Sequence, residues 1–334
     1  MSSIVTGRPR QYMNEEIRTI ARTSFLRSQL ILFNSRKKHG LLYSVATAAG
    51  LFCIPGILGV WDPETEIQLL IQRILPAPFI TLLITVGMFI LNDLGDAALD
   101  KTNLKNRPIP SGRVSKKQTW IFIMLTNGAA LGILISALAI DSIIFVIPMI
   151  LIGILYSMPR KIAFMNRFVI KNIAISLFYM FCTMLGITWS YGIELAINNP
   201  ITTIHAIAMS GIMIFVGSTI NDLGDIKGDR AAGRHTIPIV LGGKNTIKVL
   251  IILLASMPAI SWMLYATLLV KDESVNTMMT SIAITIVASL ALFRMTIIQK
   301  VFEDMKLMRE QHKKWFPLYM ILQLGMIIGP SLPL

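Results

Sequence analysis

Long apolar runs, separated by short polar stretches, dominate the chain from residue 41 onward. A helix that crosses the hydrocarbon core of a bilayer needs about 20 apolar residues, and nine runs come near that length. They lie at 41–61, 77–92, 118–139, 142–157, 172–190, 203–220, 247–270, 277–293 and 315–333. The pattern therefore predicts an all-α integral membrane protein with nine transmembrane helices.

The first 40 residues have a different pattern. Between residues 12 and 34, apolar side chains such as Ile17 and Phe25 are interleaved with Arg18 and Arg22, as in a helix that lies in the membrane interface. No small-residue cleavage site follows an apolar core, so a cleaved secretory signal is not expected. We therefore expect a cytoplasmic or interfacial N-terminal segment, residues 1–40, and one transmembrane domain, residues 41–334.

The composition agrees with this assignment. Hydrophobic residues make up 54% of the chain and charged residues 15%, whereas a soluble domain has about 45–50% and about 25%. The two cysteines, Cys53 and Cys182, lie in different apolar runs. A disulfide framework and a cysteine-rich zinc site are therefore excluded.

The basic residues are distributed unevenly along the chain. Lys and Arg number 31 against 18 Asp and Glu, which gives a formal charge of +13. When the loops are assigned to alternate sides of the membrane, 29 basic residues fall on the N-terminal side, and only Arg73 and Lys271 on the other. Because basic loops stay in the cytoplasm, we expect a multi-pass protein of the cell membrane with a cytoplasmic N-terminus and an external C-terminus. The charge then serves topology and attraction to anionic lipids, and neither nucleic acid nor a protein partner is expected.

One acidic motif occurs twice in this charge-poor chain. The pentapeptide Asn-Asp-Leu-Gly-Asp occupies residues 92–96 and 221–225, and another Asp follows each copy four residues later, at Asp100 and Asp229. The copies end the second and the sixth predicted spans, so both emerge at the cytoplasmic surface. We therefore expect two parallel four-helix units plus a ninth helix, with the two motifs facing one another.

Each motif predicts a column of oxygen ligands on one helix face, because its residues recur at i, i+4 and i+8. Oxygen donors without His or Cys suit Mg²⁺, which usually takes one or two carboxylates and phosphate oxygens. A phosphate or diphosphate substrate is therefore implied, and Asp93 and Asp222 are candidates to support the ligands or act as general bases. In the alternative interpretation, the acids merely end helices and pair with basic residues. The candidate metal ligands are Asn92, Asp96, Asp100, Asn221, Asp225 and Asp229, with Asp96 and Asp225 also counted as catalytic.

Basic residues follow both motifs. Arg107 lies in a Pro- and Gly-containing segment after the first motif, and Arg230 and Arg234 follow the second. A diphosphate leaving group needs such cations, and Arg can bind phosphate through two hydrogen bonds. We expect Arg107 to bind the diphosphate, with Lys101, Arg230 and Arg234 as further candidates.

At these residues the sequence resembles the UbiA superfamily of intramembrane prenyltransferases. The run DKTNLKNRPIPSGRVS from Asp100 is similar to the extended first motif, and DIKGDRAAGRHTIPIVLG from Asp225 to the second. Tyr156 and the following SMPRK resemble the family's Tyr-Pro-Lys segment. The resemblance implies a nine-helix bundle open to lipid, Mg²⁺ at the Asp motifs, and transfer of an isoprenoid from its diphosphate to a lipophilic acceptor. It also implies substrate-binding roles for Tyr156, Arg160 and Lys161.

The acceptor is indicated by finer features. RPIPSG and the DxxGD form of the second motif resemble archaeal geranylgeranylglyceryl phosphate geranylgeranyltransferases and, more distantly, chlorophyll synthases. We therefore expect a geranylgeranyl donor and geranylgeranylglyceryl phosphate as the acceptor in ether-lipid synthesis. An aromatic-acceptor enzyme of quinone or chlorophyll-type biosynthesis is the alternative. Arg36, Lys37 and Lys38 are candidates to bind the phosphate of the acceptor, or else reflect positive-inside bias.

A cation or phosphate transporter is the alternative from another class. Transporter sites usually lie near the bilayer midplane at broken helices, whereas both Asp motifs end helices at the cytoplasmic side. A non-catalytic assembly factor would have no use for two complete motifs.

Several aromatic and histidine residues have two interpretations. Tyr156, Phe178 and Tyr179 are candidates to stabilise an allylic cation through their rings, although packing is the more common role of such residues. His235 is a candidate phosphate contact. The remaining histidines are interpreted as interfacial or packing residues: His39, His205 and His312.

Overall fold

The structure is a computed structural model that describes residues 24–53, 74–97, 100, 107–157, 168–231, 233–269 and 275–329. Lys101, Arg160 and Lys161 lie outside these residues. The described part contains eleven helices: α1 (Phe25–Phe52), α2 (Pro76–Gly95), α3 (Lys116–Ser136), α4 (Ile140–Ser157), α5 (Ile170–Asn198), α6 (Pro200–Ala231), α7 (Ile237–Leu241), α8 (Gly243–Leu269), α9 (Val275–Val301), α10 (Met305–Lys313) and α11 (Phe316–Ile328).

Seven of these helices are long and apolar enough to cross a membrane, namely α2 to α6, α8 and α9. They confirm the prediction of an all-α, multi-pass membrane protein. Helices α1 and α11 contain the described parts of the first and ninth predicted spans, whose remaining residues, 54–61 and 330–333, lie outside the described chain. The count of nine spans therefore stays a prediction.

Local sequence explains where several helices begin. Ser115 and Gln118 form a reciprocal capping box at α3, and Pro stands in the first turn of α2, α7 and α11, where its missing N–H costs nothing. Helix α1 begins after Ser24, whose side chain accepts from the Arg27 N–H, and it passes without a break through residue 40. The described part of the predicted interfacial helix, residues 24–34, belongs to the same helix.

Two matching contacts occur, one in each half of the chain. Thr47 of α1 lies 2.7 Å from Thr81 of α2, between hydroxyl oxygens, and Thr183 of α5 lies 3.2 Å from Ser210 of α6. Thr81 and Ser210 are 129 residues apart, as are the two Asp motifs. The internal repeat therefore extends from the motifs into the packing of the helices that carry them.

Helices α1 and α5 cross at a pair of glycines. A Cβ added to Gly50 would lie 2.0 Å from the carbonyl oxygen of Thr183, and one added to Gly186 would lie 2.0 Å from that of Thr47. Small residues at helix crossings let two backbones approach closely inside a membrane. The contact is reciprocal, because the glycine of each Thr-x-x-Gly segment packs against the threonine carbonyl oxygen of the other segment.

We expect Gly50→Ala to destabilise the protein by about 3 kcal/mol or more, since backbone atoms must move apart to admit the methyl group. Thermal unfolding of the purified protein in detergent measures this loss. Gly132→Ala in α3 is the matched control, because an added Cβ there meets no atom within 4 Å. Equal unfolding temperatures for the two variants would contradict the assigned crossing.

Candidate active site

The first Asp motif lies where α2 ends. The Asp96 N–H donates to the Asn92 carbonyl oxygen at 2.9 Å, and the Asp100 N–H donates to the Asp96 carbonyl oxygen at 2.8 Å. Helical spacing thus continues past Gly95, the last residue of α2. The predicted i, i+4, i+8 arrangement is present in the backbone.

Two acids of this motif are buried against arginines. Asp93 and Asp100 each have a side chain that is 1% exposed. Arg36 of α1 binds both carboxylate oxygens of Asp93, with its Nε at 2.7 Å from Oδ2. Arg107 places Nη1 at 2.7 Å from Asp93 and at 2.5 Å from Asp100. Such charge-assisted contacts are stronger than neutral hydrogen bonds, and they hold the Arg107 side chain at the first motif.

The second motif lies wholly within α6, which continues eleven residues beyond the predicted end at residue 220. Its Asp222 is buried and forms a salt bridge with Lys171 of α5, and the Asn172 Nδ2 donates to its Oδ2 at 3.2 Å. Lys171 lies between the predicted spans 142–157 and 172–190, and this role was not predicted from the sequence. Arg36 and Lys171 correspond in the repeat, because each lies on the helix before a motif helix and pairs with the second residue of the motif.

Arg234 joins the two motifs. Its Nη2 lies 3.3 Å from Asp96 and its Nη1 lies 3.2 Å from Asp229. The chain turns back at Gly233, whose φ of 69° favours glycine, and the Arg234 N–H donates to the Asp229 carbonyl oxygen at 2.9 Å, as in a glycine-terminated helix. The two motifs therefore face one another, as predicted.

A third helix reaches the site from the C-terminal part of the chain. Helix α10 is capped by Asp304, which accepts from the N–H groups of Lys306 and Leu307, and its Met308 is fully buried. Arg309 extends from this helix to Asp225 at 3.0 Å, although its side chain is 56% exposed. Arg309 was not predicted as a site residue, because it occurs in a strongly charged segment without a motif.

These contacts bear on whether the acids could hold Mg²⁺. Among the described residues, no three Asp, Glu, His or Cys side chains are close enough to surround one ion, because guanidinium groups lie between the carboxylates. The donors are nevertheless all oxygen atoms, and one guanidinium spans Asp96 and Asp229. This set suits a cation whose coordination is completed by phosphate oxygens. The observed acid–base pairs also match the alternative interpretation, so metal ligation stays a prediction.

An apolar cavity lies directly beneath the first motif. Asn92 lines it at the motif end, and Tyr43, Phe89, Tyr156 and Phe178 contribute aromatic rings. Tyr43 meets Phe178 edge to face, with ring centroids 5.3 Å apart. Tyr156 and Phe178, two of the candidates for stabilising an allylic cation, therefore line this cavity. Tyr179, by contrast, packs in the core, where its hydroxyl donates to the Leu42 carbonyl oxygen at 3.2 Å.

A wider, basic cleft of about 530 Å³ lies beside the C-terminal end of α2, on a different face of that helix from the aromatic cavity. It carries four arginines against one aspartate, with an apolar wall from α1. Of the three predicted acceptor ligands, Arg36 lines this cleft, whereas Lys37 and Lys38 are exposed and do not. The cleft is lined by Arg27, Leu30, Ile31, Asn34, Ser35, Arg36, Asp93, Arg107, Pro108 and Arg113.

His39 lies between the ionic site and the aromatic cavity. Its ring packs on Phe89 with centroids 4.5 Å apart, and its Nδ1 is buried without a hydrogen-bond partner in the described structure. Burial, assisted by the positive charges of Arg36, His312 and Arg107, lowers the pKa of His39 to about 3. The imidazole is therefore neutral at physiological pH.

The remaining candidates lie apart from these contacts. Arg230 is exposed at the end of α6, His235 is exposed, and Asn221 is half-buried. Cys53 and Cys182 are buried free thiols.

The sequence is similar to those of known membrane-lipid enzymes and matches one protein family. The sequence profile of the UbiA prenyltransferase family matches residues 41–306. The digeranylgeranylglyceryl phosphate synthase of Methanosphaera stadtmanae is 28% identical over 165 residues, which cover 49% of this chain and 56% of that protein. Across five digeranylgeranylglyceryl phosphate synthases, the chain spans between 53% and 66% of the relative's length.

Solved structures share the fold. One from work on digeranylgeranylglyceryl phosphate synthase in membranes aligns with a TM-score of 0.64 and 19% identity, over 92% of this chain and 98% of that chain. A UbiA homologue from Archaeoglobus fulgidus, bound to GPP and Mg²⁺, aligns with a TM-score of 0.60 and 17% identity, over 90% and 99%. At these identities the likeness establishes the architecture alone.

Proposed function

Because this chain belongs to the UbiA prenyltransferase family, we propose that it transfers an isoprenyl group, geranylgeranyl, from its diphosphate to geranylgeranylglyceryl phosphate in ether-lipid synthesis. The observation that carries the proposal is the bridge from Asp96 through Arg234 to Asp229. It brings both Asp motifs to one mouth, directly above an aromatic cavity that Asn92 also lines. The polar groups that would bind a diphosphate therefore lie next to the apolar walls that would hold its prenyl chain.

The finer architecture is part of this proposal. Nine spans would form two parallel four-helix units, α1 to α4 in one and α5, α6, α8 and α9 in the other, with α11 as the ninth helix that completes the bundle. The matched contacts of Thr47 with Thr81 and of Thr183 with Ser210 support the repeat. The charge distribution supports a cytoplasmic N-terminus, cytoplasmic Asp motifs and an external C-terminus.

The basic side chains suit the departure of a diphosphate. Arg107, Arg234 and Arg309 are each held at a carboxylate of a motif, so each can turn to a phosphate oxygen that binds beside it. Mg²⁺, held by the motif acids, would neutralise the charge that develops on the leaving oxygen. The guanidinium groups add fixed positive charge at the same place, where preorganised charge lowers the barrier.

The aromatic cavity suits the allylic cation that remains. Tyr43, Phe89, Tyr156 and Phe178 surround it with ring faces and edges, and ring faces attract cations. An apolar enclosure also excludes water, which would otherwise capture the cation. The chain thus supplies binding, charge stabilisation and a dry reaction space from its own residues.

The basic cleft is our candidate site for the phosphate of the acceptor. We expect neutralising Arg27 and Arg113 together, as Arg27→Gln with Arg113→Gln, to raise the KM for geranylgeranylglyceryl phosphate more than tenfold. One lost charge-assisted contact is worth about 1.5–3 kcal/mol. The KM for the prenyl diphosphate should change far less. Lys37→Gln with Lys38→Gln is the matched pair, and a larger effect there would instead support the phosphate position expected from the sequence.

The function itself is tested with purified protein in lipid nanodiscs. Labelled geranylgeranyl diphosphate and Mg²⁺ are supplied with geranylgeranylglyceryl phosphate, 4-hydroxybenzoate, a dihydroxynaphthoate or chlorophyllide, and products are identified by mass spectrometry. We expect the glyceryl phosphate alone to be converted. Prenylation of an aromatic acceptor in its place would overturn the acceptor assignment, and no product with any acceptor would overturn the transferase proposal.

A further inference from the structure

One face of α1 leads from the ionic site into the aromatic cavity. Arg36, His39 and Tyr43 lie at i, i+3 and i+7, which places them along the same side of the helix. Phe89 of α2 contacts all three. Its ring centroid is 5.6 Å from the Arg36 guanidinium carbon, 4.5 Å from the His39 ring and 6.0 Å from the Tyr43 ring.

His39 therefore occupies the boundary between the two environments. On its outer side, Arg36 and Arg107 are bound to Asp93. On its inner side, Tyr43 and Phe89 line the cavity. A prenyl diphosphate with its charged end at the motifs and its chain in the cavity has its reacting carbon at this boundary.

The Nδ1 atom of His39 has no hydrogen-bond partner among the described residues. It is buried and accepts or donates no hydrogen bond in the described part of the chain, although a buried polar atom without a partner costs about 1–3 kcal/mol. The ring is held by stacking on Phe89 instead of by a hydrogen bond at this atom. Such an atom is suited to a partner that arrives with the substrate.

We propose that Nδ1 of His39 accepts the proton lost by the hydroxyl group of the acceptor. This rests on the proposed function. The C–O bond of the allylic diphosphate breaks, and its electron pair leaves with the diphosphate. A lone pair of the hydroxyl oxygen forms the new C–O bond, the hydroxyl proton passes to Nδ1, and the imidazolium then gives it to the departing diphosphate.

The basicity of His39 is sufficient for this step. An alcohol that has attacked an allylic cation becomes a protonated ether, which is a strong acid, so a weak base suffices to remove its proton. Arg36, Arg107 and His312 face the imidazole, and the negative diphosphate offsets the two arginine charges when it binds. Asp93, a carboxylate of the adjoining ionic cluster, is already held by two guanidinium groups.

The test separates proton transfer from ionisation. His39→Gln keeps a polar side chain of similar length but removes the base. Single-turnover formation of the ether is compared with positional exchange of ¹⁸O in labelled geranylgeranyl diphosphate, which reports cleavage of the allylic bond. We expect ether formation to fall about 100-fold, as for loss of a general base, while isotope exchange stays within about twofold of wild type.

His205→Gln is the control for replacing a buried histidine, because His205 bonds Ser261 at 3.0 Å, outside the site. It should leave both rates unchanged. In His39→Ala, added imidazole should restore ether formation, whereas pyrrole, which has a similar shape but no basic nitrogen, should not. This comparison also serves if His39→Gln folds poorly.

Three results would overturn the assignment of His39. Unchanged ether formation in His39→Gln would mean that the diphosphate itself takes the proton. An equal fall of both rates, or rescue by pyrrole, would reveal a role in packing only. If the wild type exchanges label but makes no ether with any hydroxyl acceptor, the proposed function fails, and the assignment of His39 fails with it.

Discussion

Prenyl transfer is expected to fall by at least about 1000-fold in Asp96→Asn and in Asp225→Asn, with the protein still folded and inserted. An amide in place of a carboxylate removes one negative charge from the expected metal site, and metal stabilisation of a leaving group is worth several kcal/mol, at about 1.4 kcal/mol for each tenfold of rate. Asp225 is 32% exposed and pairs with the exposed Arg309. Such pairs add little stability, so the loss should appear in turnover and not in unfolding temperature.

Asp141→Asn is the matched control for this prediction, since Asp141 is exposed at the other end of the bundle, where it accepts from the Ile193 N–H at 3.1 Å. Turnover is measured with labelled donor, with and without excess chelator. Full turnover in chelator, or in either motif variant, would show that the acids serve only in the observed ion pairs.

Lys171→Met should cause the largest loss of stability among single substitutions at the site. It leaves Asp222 buried without its cation, and breaking a buried pair typically costs about 3–5 kcal/mol. Replacing both partners, as Lys171→Met with Asp222→Leu, should recover most of this loss, because an apolar pair of similar volume carries no uncompensated charge. Thermal unfolding in detergent provides the measurement.

The same variants test the catalytic role predicted for Asp222. A stable double variant that keeps its turnover would restrict the pair to positioning α5 against α6. A stable double variant without turnover would favour the general-base prediction. If Lys171→Met unfolds at the wild-type temperature, the buried pair is not formed in the folded protein.

The helices and the motifs were predictable from the sequence because their causes are local. Charged residues are costly in hydrocarbon, so the ends of apolar runs mark the ends of spans such as α3 and α4 within a few residues. Helix α6 differs, since its predicted end followed hydropathy, whereas Asn221 to Asp229 remain helical. Polar residues do not stop a helix when its backbone bonds continue and its side chains find partners.

The partners of the acids were not predictable in the same way. Lys171, Arg36 and Arg309 reach the motifs from three other helices, and such contacts depend on how the helices pack. When basic residues are counted loop by loop, each of them is interpreted only as an indication of membrane orientation. The internal repeat offered one further indication, since a basic residue precedes each motif by a similar interval, 57 residues for Arg36 and 51 for Lys171.

The reciprocal crossing of Gly50 and Gly186 has the geometry of an isologous dimer interface, in which the same patch of each partner receives the other. Here both partners belong to one polypeptide. The two halves can therefore diverge independently, which two identical subunits could not do, and Arg36 on one side with Lys171 on the other already differ. A symmetric pair would present the same side chains from both sides of a shared mouth, whereas a fused and diverged pair can assign one half to the donor and the other to the acceptor.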